Sequence, residues 1–132
     1  MKKTEIEVSL KKLNDALNRL KECVGDAVDE LDHDGVIQRF EFTFELPWKC
    51  LKTYLENEGI TCRTPRERLK AVFGINLIND EAVFLDMLED GNLSSHIYSR
   101  DEAERIYRRI GNFYQPRIET LLNKLKSAVE KK

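Results

Sequence analysis

Apolar residues recur at steps of mostly three and four through Ile6, Leu10, Leu13, Leu17, Leu20, Val24, Ala27, Val28 and Leu31, one stripe along a helix. Lys11, Lys12, Asn14, Asp15, Asn18 and Arg19 fall off that stripe and are expected to face water. Thr4 with Glu7 has the spacing of a capping box, and Asp32-His33-Asp34-Gly35 has the composition of a turn. The first predicted helix therefore runs from Thr4 to Leu31. Gly25 costs it about 1 kcal/mol relative to alanine without ending it.

The second predicted helix runs from Val36 to Asn57, with Gly59 as its stop signal. Ile37, Phe40, Phe44, Trp48, Leu51 and Leu55 form one track; Phe42, Leu46, Cys50 and Tyr54 form another. A helix apolar on most sides is either central to a core or shared with a second subunit. Pro47 removes a backbone donor, so a kink is expected between Thr43 and Pro47. Thr64-Pro65-Arg66-Glu67 opens a third helix that ends near Gly74. A fourth opens at Asn79-Asp80 and weakens at Asp90-Gly91-Asn92. The last starts at Ser99, where Glu102 completes a capping box, and Pro116 predicts either a kink or a break into two helices. Short connections between long amphipathic helices favour antiparallel packing. The expected fold is all-α, an up-and-down four-helix-bundle core with extra short helices, in a single domain over residues 1–132.

Composition narrows the chemistry. Apolar residues make up 41% of the 132 residues and charged residues 35%, as amphipathic helices require. The net charge of −2 argues against a strong nonspecific hold on nucleic acid. The three cysteines lack paired spacing, which suits reduced cytosolic thiols better than disulfides or zinc. No apolar run reaches the ~20 residues needed to span a bilayer, so a cytoplasmic protein without membrane association is expected. No phosphate loop or His-Glu-x-x-His pair is present, and no metal or cofactor is expected.

Two motifs remain. Residues 34 to 49, from Asp34-Gly35-Val36 to Pro47-Trp48-Lys49, resemble the signature helix of the nucleotidyltransferase substrate-binding family in the HEPN superfamily. Residues 87 to 98, ending Asp90-Gly91-Asn92-Leu93-Ser94-Ser95-His96-Ile97-Tyr98, resemble its later signature. The resemblance covers roughly residues 6 to 125. It implies a HEPN-like helical bundle, a homodimer, and a separate minimal nucleotidyltransferase as partner. In active HEPN toxins the second motif reads Arg, four residues, His, one residue, Tyr. There the Arg and His cut RNA, and the partner transfers AMP to the Tyr to silence the toxin.

His96 matches the motif histidine, Tyr98 the tyrosine, and Asn92 the polar residue after the arginine, whereas Gly91 stands in the arginine position. Metal-independent RNA cleavage needs a cation on the phosphate, a task for a bidentate guanidinium that glycine cannot perform. The expected function is therefore a binding and regulatory subunit, noncatalytic alone, in a toxin–antitoxin-like pair. It would engage nucleotide or RNA through Asn92, Ser95, Arg39, Glu45 and Arg100. The alternative is a HEPN ribonuclease toxin in which His96 is catalytic, Arg100, Arg39 or the other subunit supplies the cation, and nucleotidylation of Tyr98 regulates cleavage. Blander readings stand beside these. His96 fits a helix cap or a dimer seam, and Tyr98 a half-buried aromatic. Arg39 and Glu45 also fit a solvated edge or structural ion pairs. Trp48 continues the apolar stripe and reads as core or dimer interface.

Overall fold

The computed structural model describes residues 2–93 and 99–131. Its elements are α1 (Lys2–Asp26), α2 (Glu30–Asn57), α3 (Pro65–Gly74), α4 (Glu81–Leu93) and α5 (Arg100–Arg109). A π-helical turn (Ile110–Tyr114) then leads into α6 (Gln115–Glu130). Among the described residues there is no strand, and the fold is the all-α bundle that the hydrophobic periodicity predicts. α1 and α2 form a hairpin, α6 packs on α1, and α5 and the short α3 pack on α2. Leu13, Leu20, Phe40, Leu51, Leu55, Ile110 and Ile118 are sealed in the shared core.

The expected turn at 32–35 lies elsewhere. α1 ends at Asp26, and Asp29 caps α2 by accepting from the Asp32 N–H at 2.9 Å. The Asp32 carboxylate accepts in return from the N–H groups of Val28 and Asp29. Three acidic residues in this stretch favour a helix start, where the macrodipole is positive, over a turn. Val28 and Leu31, expected in the α1 stripe, consequently stand in solvent at 85% and 77% exposure. Thr4 is not a cap either, because α1 is already helical from Lys2.

Other boundaries follow the sequence signals. Thr64 caps α3, Ser99 caps α5, and Gly59 at φ 81° closes α2 in a Schellman turn, with the Ile60 N–H on the Leu55 carbonyl at 2.8 Å. α2 continues as helix through Pro47, while the Thr43 hydroxyl donates back to the Arg39 carbonyl at 2.8 Å. At Pro116 the chain keeps helical geometry: the extra residue is absorbed by the π-turn. Pro116 then falls in the first turn of α6, where its missing N–H costs nothing.

Candidate functional site

The inner face of α2 meets α4 at the arginine position of the second motif. A Cβ placed on Gly91 would come closer than 3.0 Å to the ring of Phe44, which is itself buried. Glycine is what lets the two helices approach here. Phe44 is held by Phe40 (ring centroids 5.7 Å) and by Trp48, edge-on at 5.9 Å. Trp48 is 4% exposed, a core residue unavailable for base stacking.

Beside Gly91, Asp90 is buried and fully engaged. Arg109 Nη1 lies 3.0 Å from both of its oxygens, and the Tyr114 hydroxyl donates to Oδ2. Burial, then the hydrogen bond to Asp90, pushes the Tyr114 phenol well above its ordinary pKa, so it stays a donor. The same carboxylate raises the pKa of the half-exposed Arg109 guanidinium. Tyr114 stacks on Phe40 at 5.7 Å, joining this polar cluster to the aromatic one.

A second cluster follows the motif. Arg100 Nη2 sits 2.9 Å from Asp34 and 3.1 Å from Glu104. His33 Nδ1 lies 2.9 and 3.0 Å from the two Glu104 oxygens, and its ring stacks on Tyr107 at 3.8 Å. The hydrogen bond from His33 holds Glu104 below the usual carboxylate range, and the bond to Asp34 raises Arg100 further. The cluster pins the start of α5 to the start of α2.

Of the residues named from sequence, Ser95, His96 and Tyr98 lie outside the described residues. Asn92 is exposed in the last turn of α4. Arg100 adjoins the motif but is engaged by two carboxylates. Arg39 lines the groove between α1 and α2, its guanidinium 5.6 Å from the Phe42 ring, and Glu45 is exposed. Sequence reasoning missed Asp90, Arg109, Tyr114, His33 and Glu104. His33 read as part of a turn. Nothing local pairs residues 19, 24 or 71 positions apart. Among the described residues no cluster of His, Cys, Asp and Glu is arranged to hold a metal ion.

A family model described as nucleotidyltransferase substrate binding protein like matches residues 4–127. This chain belongs to that family. A curated relative from Haemophilus influenzae, named probable ribonuclease HepT, is 29% identical over 84 residues, which cover 60% of this chain. That match spans 58% of the relative's own length. A crystal structure of a Thermus thermophilus protein superposes with a TM-score of 0.73 at 30% identity, covering 89% of this chain and 98% of that one. Among the described residues, no helix of this family member is long and apolar enough to cross a membrane.

Proposed function

We propose that this chain is a binding and regulatory subunit, noncatalytic alone, that pairs as a homodimer with a separate minimal nucleotidyltransferase. Asn92, Ser95, His96 and Tyr98 are its contact segment for that partner and for a nucleotide or RNA. The observation that carries the reading is the closed space at Gly91: Phe44 occupies the volume into which a motif arginine would grow. The guanidinium groups on either side, Arg109 and Arg100, already answer Asp90 and the Asp34–Glu104 pair. A phosphodiester in this region thus meets, in Arg109 and Arg100, guanidinium groups that carboxylates already hold. The test is co-expression with the small nucleotidyltransferase expected to be encoded beside it. A stable complex at micromolar concentration is the predicted result, and none at that concentration would overturn the reading.

Similarity to the protein named probable ribonuclease HepT favours a second reading, an RNA-cleaving toxin with His96 as catalytic residue and Tyr98 as the nucleotidylated one. Arg109 is its best source of charge, because the guanidinium is half-exposed on the carboxylate next to Gly91. RNA cleavage abolished by both Arg109→Gln and His96→Ala would select this reading over the first.

A further inference from the structure

We infer that the hollow between the 75–80 loop and α6, outside the motif, is a binding site for a small organic acid: one carboxylate on a compact apolar body.

The hollow holds about 340 Å³, at the small end of the range that ligand sites occupy. Leu77, Ile78, Phe84 and Leu121 line it, and all four are buried. Polar groups enter from two sides. Asn79 and Asp80 belong to the loop, whereas Arg117, Thr120 and Lys124 come from α6. Those three follow one another at steps of three and four, so they share a face of that helix, with Arg117 and Lys124 about 10.5 Å apart along its axis. An apolar floor with a few polar groups on the rim suits a ligand of the same make-up.

The loop wall is fixed at both ends. Asn76 takes a left-handed φ of 63°, and the Leu77 N–H bonds to the Val72 carbonyl at 2.9 Å. This Schellman closure of α3 turns the chain so that Leu77 and Ile78 are buried. At the other end the Asp80 carboxylate serves two partners. Its Oδ1 accepts from the Val83 N–H in the first turn of α4 at 3.4 Å, and its Oδ2 accepts from Arg117 Nη2 at 3.2 Å. A ligand entering here therefore has little of the wall left to order.

Charge selects the kind of ligand. Arg117 and Lys124 bring two positive charges to the hollow and Asp80 one negative, which leaves one for a monoanion. Arg117 gives only Nη2 to Asp80, and both side chains of that pair are partly exposed. Among the described residues Lys124 forms no ion pair. The Thr120 hydroxyl already donates to the Pro116 carbonyl at 3.1 Å, so the two cations hold the carboxylate. Both side chains are long enough for their heads to converge on one such group. A phosphate dianion or a polyphosphate carries more charge than this rim balances and would also face Asp80. The hollow is thus separate from the nucleotide or RNA contact of the proposed function.

The experiment titrates the full chain with hydrocinnamate and follows the backbone amide chemical shifts. Saturable shifts confined to residues 76–84 and 117–124 are expected, with a dissociation constant below about 1 mM. Hydrocinnamamide, which lacks the charge, and phenyl phosphate, which carries too much, should each bind at least about tenfold more weakly. Lys124→Gln should weaken hydrocinnamate by about tenfold with the unfolding transition unchanged, and Lys124→Arg should restore it. Hexanoate, with an aliphatic body, serves as the second carboxylate probe. Saturation by neither carboxylate, equal binding of the amide, or shifts centred elsewhere would each overturn the site. None of these results bears on capture of the nucleotidyltransferase.

Discussion

Phe44 and Phe42 lie two residues apart on one helix and have opposite fates. Phe44 is 5% exposed, wedged over Gly91 and flanked by Phe40 and Trp48; Phe42 is 61% exposed beside uncommitted charges. A step of two residues turns the helix by about 200°, so one ring faces α4 and the other faces away. The inner face has closed the space beside Gly91. The outer face keeps apolar area and charge available to another molecule. A closed inner face and an open outer face on a single helix suit the proposed binding subunit.

The comparison can be broken first at the inner face. Asp90→Ala strands the Tyr114 hydroxyl in the core and frees Arg109, and should cost about 3 kcal/mol in urea unfolding, tempered by the partial exposure of Arg109. Gly91→Ala must push the Phe44 ring aside and should cost about 2 kcal/mol. Adding Phe44→Leu should return part of that loss, because it removes the atoms that collide. If Gly91→Ala alone is neutral, the space at this position is not closed.

The junction after the motif gives a smaller, pH-dependent effect. Glu104 is depressed in the folded state, chiefly by its bond to His33, so its stabilising contribution is present above the ordinary carboxylate pKa, near 4.5, and is lost as pH falls below it. Glu104→Gln should therefore be less stable than wild type at pH 7, and the gap should close toward about pH 3. Smallest of all, Phe42→Ser should change the unfolding free energy of the monomer by no more than about 0.5 kcal/mol, since its ring is mostly in water. A large loss there would erase the contrast between the two faces.

Much of the fold was legible because it rests on local signals. The three-and-four spacing from Ile6 to Leu20 marked the buried face of α1, Thr64 and Ser99 marked their helix starts, and Gly59 marked the end of α2. The α1–α2 turn was misplaced because Asp32-His33-Asp34-Gly35 has turn composition, while the Asp32 carboxylate serves a cap three residues earlier. The site was less legible. Gly91 was readable as a departure from the motif arginine, but the Phe44 ring that fills the space beside it lies far back in the chain on another helix. Asp90, Arg109 and Tyr114 meet only through packing of α4 against the π-turn. Arg39 and Glu45 fitted either the motif or a solvated edge; Arg39 lines the groove between α1 and α2, and Glu45 is exposed.

The central claim is that closure at Gly91 leaves the His96 segment without the cation that cleaves RNA. Incubating the purified wild-type protein with RNA, alongside His96→Ala, tests it most directly. The account predicts no cleavage above that of His96→Ala. RNA cut by the wild type and spared by His96→Ala would contradict it.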